Sequence, residues 1–430
     1  MTSIAELVAA AEPTAPRLLE DLAERLRAEG RLSGEPSATT ADLAVRGLAF
    51  DSRAVVPGGL FVAVPGEHVD GHTFVGAAAA AGAAAAIVEH PVEVPLPQVV
   101  VDRSRAALAT AAAWWYGDPS AELGVIGITG TDGKTTTSFL ATAALEAAGV
   151  PTGMLGTAAL EIGDVREPNP EHATTPEAPR LQAILRAMVA AGDRAAIVET
   201  TSHGLALERV AGIRYDVALF TNLSHEHLEL HGTFEAYRDA KRSLFERLAV
   251  SAANPPKPDP GWPRVGIVNA NDAAADAFVE ATRAAGARVI TYSANPGRRP
   301  ADVISTNNWA DGLAGVGLSY AAPSGSGRVR SRLAGAFNVV NLLAVVALGE
   351  ALGLDLELVG AGLESVDRIP GRMERIVAGQ PFEVIVDYAH TPASLQGVLN
   401  ELRRNAKPRL DALIVVFGSA GERDTQKRPD

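Results

Sequence analysis

The stretch Gly127-Ile-Thr-Gly130-Thr-Asp-Gly133-Lys134-Thr135-Thr136-Thr137 follows a short apolar run that opens at Gly124. Glycines let successive backbone N–H groups turn toward one anion, and a helix starting near Thr135 adds its positive dipole end. In that arrangement Lys134 reaches the outer phosphates of a nucleotide and the Thr135 hydroxyl ligates Mg²⁺. The spacing departs from the usual phosphate loop, because Ile stands at position 128 and Gly127 comes one residue early. A glycine turn with a chance Gly-Lys-Thr is the competing reading. The intact order of strand, glycine turn, Lys-Thr and helix disfavours it.

Working outward, further buried strands are expected at Ala195–Glu199, Asp216–Asn222, Val265–Asn269 and Val289–Tyr292, with helical patterns between them. Such alternation implies a mainly parallel sheet with crossover helices. Gly335–Leu352 reads as a strongly apolar helix closing this unit, and the proline-rich Ala252–Trp262 as a loop or insertion. Upstream, Gly59–Pro65 reads as a strand, Thr73–Ala81 as a helix and Ala84–Val88 as a strand. Downstream of Arg368, Phe382–Tyr388 reads as a strand, Pro392–Arg404 as a helix and Ala412–Phe417 as a strand. Residues 368–430 are few beside the ~100–150 of an independent domain, so the chain is expected to be cut short inside its last domain.

The composition is that of a globular protein: 430 residues, 47% hydrophobic, 21% charged. A net charge of -13 argues against general binding to nucleic acid or anionic membranes, while leaving room for a local basic phosphate pocket. With no cysteine, disulfides, thiolate metal sites and cysteine nucleophiles are excluded. The N-terminus carries Glu6, Glu12, Glu20 and Asp21 instead of a basic-then-apolar signal. The longest apolar run, Val75–Val88, is mostly alanine, broken by Gly76 and Gly82, and too short to span a bilayer. A cytoplasmic protein is expected.

Of nine histidines, His225, His227 and His231 fall in Thr221-Asn-Leu-Ser-His225-Glu-His227-Leu-Glu-Leu-His231-Gly, just after a predicted strand. That is the carboxyl end of the sheet, where ligands bind in this fold class. His227 and His231 are four apart and would share a helix face able to hold Zn²⁺; exposed or capping histidines are the competing reading. Glu199 ends another predicted strand, where a carboxylate suits the oxygen shell of Mg²⁺. Lys241 lies on a predicted helix ten residues after His231, and taken alone reads as a solvated surface lysine.

Together these segments resemble the Mur ligases, most closely the MurE type, over nearly the whole chain. Asp51-Ser52-Arg53, Pro57-Gly-Gly-Leu-Phe-Val-Ala63 and Gly66-Glu-His-Val-Asp70-Gly71-His72 resemble the family's uridine-nucleotide site, which MurF-type members share. The MurE-like features are Thr174-Thr175-Pro176, Thr201-Ser202-His203 with Arg209, His227-Leu-Glu-Leu-His231-Gly, Val386-Asp387-Tyr388-Ala389-His390-Thr391-Pro392 and Gly418-Ser-Ala-Gly421-Glu-Arg-Asp424 with Lys427-Arg428-Pro429. The resemblance implies a three-domain α/β architecture. An N-terminal uridine-nucleotide domain (1–118) would precede a central ATP-binding domain with a P-loop-type, mainly parallel sheet (119–367) and a truncated Rossmann-like C-terminal domain (368–430).

It also implies roles. Gly130, Thr131, Asp132, Gly133, Lys134, Thr135 and Thr136 would cradle ATP phosphates, with Asn338 and Asn341 at the adenine, Asp387 at the ribose and Arg372 at the phosphates. Ser52 falls at the uridine site, and Thr174, Thr175, Ser202 and Arg209 would hold the muramoyl-dipeptide. In this family a lysine matching Lys241 is carbamylated by CO₂. The carbamate binds a second Mg²⁺ with the histidine matching His227, whereas a bare ammonium would repel the ion. Thr135 and Glu199 suit the first Mg²⁺, with Glu199 a further candidate for the second. Asp132 stands where the family usually has asparagine, Glu226 and Glu229 where it has aspartates, and Gly204 where alanine is common.

The implied activity belongs to cell-wall biogenesis. An ATP-dependent ligase would join an amino acid, diaminopimelate or lysine, to UDP-N-acetylmuramoyl-L-alanyl-D-glutamate through an acyl phosphate. Partners would be these small molecules alone, with the protein a monomer away from membranes and nucleic acid. The motif that selects the amino acid would fall beyond Asp430. Three alternatives stand beside this reading: a folate-polyglutamate-type ligase, a nucleotide-binding regulator that has lost catalysis, and a Zn²⁺ protein built on His225, His227 and His231.

Overall fold

The structure is a computed structural model that describes residues 2–34, 42–66, 69–171, 173–224, 228–253, 257, 261–297, 299–405 and 412–418. Its contacts divide the chain into two compact units. The first comprises Met1–Leu123, Thr175–Gly192 and Gly204–Ile213, and the second Gly124–Thr174, Asp193–His203 and Arg214–Asp430.

In the first unit, β1 (Arg17–Leu18) pairs antiparallel with β2 (Ala44–Val45). A four-stranded parallel sheet follows in sequential order: β3 (Leu48–Ala49), β4 (Leu60–Val62), β5 (Ala85–Val88) and β6 (Gln98–Val100). Every residue of β4 and β5 is buried, the continuous apolar run of a parallel sheet covered on both faces. The helix expected over Thr73–Ala81 opens instead as a 3₁₀ turn, Gly71–Phe74, and becomes α-helical at Val75–Ala80. The Asp70 carboxylate accepts from His72 N and tightens that first turn. Helices Ser104–Trp115 and Ala178–Ala191 meet through Ala109, Ala112 and Ala178, whose small side chains permit close approach.

The second unit is organised by an eleven-stranded sheet. Its strands are β7 (Gly124–Thr129), β8 (Thr152–Leu155), β9 (Ala159–Ile162), β10 (Val165–Pro168), β11 (Ala195–Glu199), β12 (Val217–Phe220), β13 (Val265–Asn269), β14 (Arg288–Ser293), β15 (Val303–Ala310), β16 (Val316–Ala322) and β17 (Gly325–Ser331). The spatial order is β10-β9-β8-β11-β7-β12-β13-β14-β15-β16-β17. The run from β8 to β15 is parallel and both ends turn antiparallel. β7 sits between β11 and β12, so the carboxyl ends of these three strands meet, the position at which open α/β sheets bind ligands. Helix Asn338–Leu352 is buried nearly all round and packs with helix Lys134–Ala147 against the sheet, as its unbroken apolar sequence requires.

Of the proline-rich stretch, helix Leu248–Ala253 includes the first residues, Lys257 is buried against Asp216, and Trp262 lies over Gly124. Toward the C-terminus, β18 (Glu374–Ile376) and β19 (Val384–Val386) pair antiparallel, followed by helix Pro392–Asn405. The strand expected over Ala412–Phe417 does not form. Residues 412–418 pair with nothing among the described residues, and Ile414, Val416 and Phe417 are 81%, 95% and 74% exposed. An apolar run becomes a strand only where a neighbouring edge satisfies its backbone, and none is offered among the described residues. No helix among the described residues is long and apolar enough to cross a membrane.

Candidate nucleotide and metal site

Strand β7 ends at Thr129, and the chain turns sharply into helix Lys134–Ala147. Two glycines make the turn possible. Gly130 has φ +151° and a Cβ there would lie 1.9 Å from Thr221 Oγ1; Gly133 has φ +85° and its Cβ would lie 2.5 Å from Asn341 Oδ1. The loop backbone is held by the segment after β12. Thr131 N donates to Asn222 O at 2.8 Å and Asp132 N to Asn222 Oδ1 at 3.0 Å, while Asp132 O accepts from Thr221 Oγ1 at 2.7 Å and Asn222 Nδ2 at 3.0 Å. Lys134 curls across the loop and donates to Gly130 O at 2.9 Å and Thr131 O at 2.8 Å. Thr136 is buried beside Thr135 in the first helical turn.

Glu199 ends β11 and is fully buried. It accepts from Thr135 Oγ1 at 3.1 Å, Thr157 Oγ1 at 2.9 Å and Thr157 N at 3.0 Å, and Thr157 Oγ1 lies 2.9 Å from Thr174 Oγ1. A Cβ on Gly156 would come within 2.3 Å of Glu199 Oε1, so the carboxylate occupies the space a side chain there would fill. The donors gathered here are hydroxyl and carboxylate oxygens beside an anion-binding turn, the set a hard cation such as Mg²⁺ prefers. The residues therefore fit the ion.

Lys241 is not a surface lysine. It lies on the inner face of helix Phe234–Glu246, 2% exposed, and donates to Gly130 O at 2.7 Å. Its Nζ is 4.6 Å from the Tyr237 ring centroid. The His231 ring is 5.8 Å from that of His203 and 5.4 Å from that of Tyr237. His225 and His227 lie outside the described residues, as does Glu226.

Arg372 donates to Thr135 Oγ1 at 2.9 Å and its guanidinium stacks 4.8 Å from the Tyr388 ring centroid. The strap carrying it is held by Asp387, whose two oxygens accept from Met373 N and Ala389 N, each at 2.7 Å. Met373 has a φ of +47°, which a non-glycine residue keeps only when its surroundings impose it. Asn338 and Asn341 are buried and joined, Asn341 Nδ2 donating to Asn338 Oδ1 at 2.9 Å, and Asn341 Oδ1 faces Thr137 Oγ1 at 3.5 Å.

Elsewhere in the second unit, the Ser202 side chain is buried and its Oγ has no hydrogen-bond partner among the described residues. In the first unit, Arg209 donates to Thr175 O at 3.0 Å and pairs with Glu177 at 2.8 Å. Ser52 opens a 3₁₀ turn capped by Asp51. Hydrogen bonds from the exposed Arg53 side chain and backbone hold the Asp51 carboxyl down at about 2. Asp70, His72 and His90 bring ligand atoms within 4.8 Å of one another. Both His72 nitrogens are already engaged, Nδ1 with Asp70 at 2.6 Å and Nε2 accepting from Glu89 N at 2.8 Å.

Sequence reading missed Gly156, Thr157, Asn222 and Tyr237. The first three carry no motif, since a lone threonine or asparagine after a strand signals nothing by itself. Tyr237 had a signal, because Tyr237, Lys241, Leu244 and Phe245 form one helical stripe.

A glycine phosphate loop at the carboxyl end of a central parallel strand, beside a buried carboxylate and a buried lysine, defines an α/β enzyme acting on a nucleoside triphosphate. The family model for the Mur ligase middle domain matches residues 128–349, that for the Mur ligase, glutamate ligase domain matches 371–430, and that for the Mur ligase family, catalytic domain matches 44–116. The chain is 45% identical over 395 residues to the UDP-N-acetylmuramyl-tripeptide synthetase of Roseiflexus sp. (strain RS-1), covering 90% of this chain and 75% of that protein. It is 40% identical over 382 residues to the UDP-N-acetylmuramoyl-L-alanyl-D-glutamate--2,6-diaminopimelate ligase of Geobacillus kaustophilus (strain HTA426), covering 89% and 74%. A solved structure of a UDP-N-acetylmuramoyl-L-alanyl-D-glutamate--2,6-diaminopimelate ligase aligns with TM-score 0.72 at 32% identity, over 92% of this chain and 77% of that one. The chain belongs to the Mur ligase family, ATP- and Mg²⁺-dependent ligases of peptidoglycan precursor synthesis.

Proposed function

We propose that this chain joins diaminopimelate to UDP-N-acetylmuramoyl-L-alanyl-D-glutamate with hydrolysis of ATP. One observation carries the reading: Thr135 receives Arg372, donates to Glu199 and sits in the turn where Lys134 and Lys241 share the Gly130 carbonyl. A lysine, an arginine, and hydroxyl and carboxylate oxygens fit for Mg²⁺ around one anion-binding turn suit a reaction between two anions, the triphosphate and a substrate carboxylate. The names of the relatives support diaminopimelate as the incoming amine.

In this reading Lys134 and Arg372 offset the repulsion between carboxylate and triphosphate. Thr135 and Glu199 hold one Mg²⁺. His227, a carbamate on Lys241 and Glu199 hold a second; the burial of Lys241 beside Gly130 puts it where reversal of its charge matters most. When bound, the metal supplies charge neutralisation at the transferring phosphoryl group. Asn338 and Asn341 face adenine, Asp387 the ribose, Ser52 the uridine nucleotide, and Thr174, Thr175, Ser202 and Arg209 the dipeptide. Asp387 also has a structural task in clamping the Arg372 strap. The substrate carboxylate accepts the γ-phosphoryl group, and the amine then displaces phosphate. Domains over 1–118, 119–367 and 368–430, a cytoplasmic location and a monomer free of membrane and nucleic acid belong to the same reading. Neither the regulatory binder nor the folate-type ligase gains an observation, since residues 44–116 match a Mur ligase model and Lys241 is buried beside the loop.

The test is phosphate release from ATP in the presence of the UDP-muramoyl-dipeptide, with diaminopimelate, lysine or ornithine added singly and dipeptide-free and bicarbonate-free controls. Release that needs both dipeptide and diaminopimelate is the expected result. Release with lysine instead would change the amino acid. ATP binding without release under any combination would overturn the ligase reading.

A further inference from the structure

We propose that Tyr237 is a positioning residue of the nucleotide site, fixing the phosphate loop to the helix that carries Lys241. The kinetic consequence rests on the ligase reading above; the structural linkage does not. Tyr237 is fully buried on helix Phe234–Glu246, and its hydroxyl lies 3.1 Å from Thr131 Oγ1 in the loop. Thr131 Oγ1 also accepts from Ser224 N at 2.9 Å and lies 3.3 Å from Ser224 O. A hydroxyl offers one proton and two lone pairs. Ser224 N–H takes one lone pair and the Thr131 proton reaches Ser224 O, an arrangement in which the remaining lone pair faces the Tyr237 hydroxyl. Each role of that oxygen is thereby filled, and Tyr237 supplies one of the three.

The same side chain reaches the second half of the site with its ring. Lys241 follows one helical turn later and its Nζ lies 4.6 Å from the ring centroid, while donating to Gly130 O at 2.7 Å. Lys134 donates to the carbonyls of the same two residues, Gly130 and Thr131. Tyr237 therefore bonds the side chain of residue 131 and backs the lysine bound to residue 130. The two lysines of the site share a loop whose conformation this tyrosine fixes. A phenylalanine would fill the core equally well, so the hydroxyl is what the loop requires. The loop's backbone donors bind the triphosphate only when held in register, which gives the bond its weight in ATP affinity.

The experiment is a double-mutant cycle in the full chain with Tyr237→Phe, Thr131→Val and both together. Each is assayed for calorimetric binding of the Mg²⁺ complex of a non-hydrolysable ATP analogue, for KM and kcat in phosphate release, and for melting temperature. Losing one buried hydrogen bond predicts about a fivefold weaker Kd and higher KM for ATP in Tyr237→Phe, with kcat within about twofold and melting lowered by only about 2 °C. Thr131→Val, which also strips Ser224 of its two bonds to that hydroxyl, is expected to weaken binding further, and the double variant to be no worse than Thr131→Val alone. Tyr237→Leu, which also removes the ring packed against the Lys241 side chain, is expected to lower kcat about tenfold through loss of its positioning. An unchanged Kd in Tyr237→Phe, or single effects that multiply in the double variant, would overturn the proposal. If the wild-type chain binds nucleotide but releases no phosphate, the ligase reading fails while the binding cycle still decides the role of Tyr237.

Discussion

Arg372 donates to the Thr135 hydroxyl at 2.9 Å across 237 residues of sequence, and the hydroxyl passes its own proton on to Glu199 at 3.1 Å. One oxygen thus joins an arginine suited to phosphate, a threonine suited to Mg²⁺ and the carboxylate beside it. Arg372 takes one lone pair of the hydroxyl and Glu199 its proton, which leaves the second lone pair for a cation. Phosphate oxygens beside Thr135 would offer the guanidinium a bidentate, charged partner in place of a single hydroxyl.

Replacement of Arg372 by lysine keeps the charge but loses the planar fork and the stacking on Tyr388. Loss of one well-placed donor to developing charge lowers kcat by about 10²-fold. Phosphate release by Arg372→Lys is expected to fall by that factor with melting unaltered. A variant within threefold of wild type would mean that positive charge alone suffices there.

The phosphate loop, the β11 bounds and the end-of-strand position of Glu199 were legible because each is a local pattern: an apolar run, a glycine turn, a helix start. The partners of these residues were not. Thr157 reaches Glu199 across 42 residues, and Asp387 meets Met373 N through the pairing of β18 with β19. Lys241 misled when taken singly, since a helical lysine is ordinarily solvated; its place in the stripe with Tyr237, Leu244 and Phe245 was the corrective signal. The failed strand over Ala412–Phe417 has the same origin, for β pairing is decided by a neighbour that the run itself does not encode.

Gly156→Ala tests the space around Glu199. The added methyl would fall 2.3 Å from Oε1 and force the carboxylate away from both Thr135 and Thr157. The Mg²⁺ concentration for half-maximal phosphate release is expected to rise about tenfold, with a stability loss of about 1–3 kcal/mol from overpacking. Wild-type Mg²⁺ dependence in a folded Gly156→Ala protein would remove Glu199 from the metal shell.

Asp193 makes stability depend on mild acidity. Burial, helped by Glu146 and Asp164, lifts its carboxyl from 3.8 to about 6, against the opposing bond from Gly163 N. Glu161 and Glu146 nearby are also raised, chiefly by burial, with Arg166 opposing. In the folded state Asp193 holds its proton to higher pH than in the unfolded chain. Its contribution is complete below about pH 4 and is lost as pH rises through about 6. Asp193→Asn is expected to stabilise the protein at pH 7 by on the order of 1 kcal/mol and to flatten the slope between those values in urea unfolding. An unchanged slope would assign it to Glu146 and Glu161 instead.

Lys257 and Asp216 form a buried ion pair on the far side of the loop-bearing strand end, their side chains 4% and 3% exposed. Burial drives Lys257 down to about 8 and Asp216 upward, each opposed by the attraction of the other. Asp216 also accepts from Val125 N at 2.7 Å at the start of β7, so the pair ties the proline-rich segment to the amino end of the central strand. Removing one partner of a buried pair leaves an uncompensated charge and costs ~3–5 kcal/mol. Lys257→Met is therefore expected to lose about that much at pH 7. The deficit should shrink toward pH 4, because an Asp216 without its lysine takes up a proton more readily when folded than when unfolded. Adding Asp216→Asn should recover most of the loss, since the amide can still accept from Val125 N without carrying charge. Urea unfolding of the two variants across that pH range decides it: a pH-independent deficit that the second substitution fails to relieve would mean that Lys257 acts through packing, and that the charge of Asp216 is immaterial.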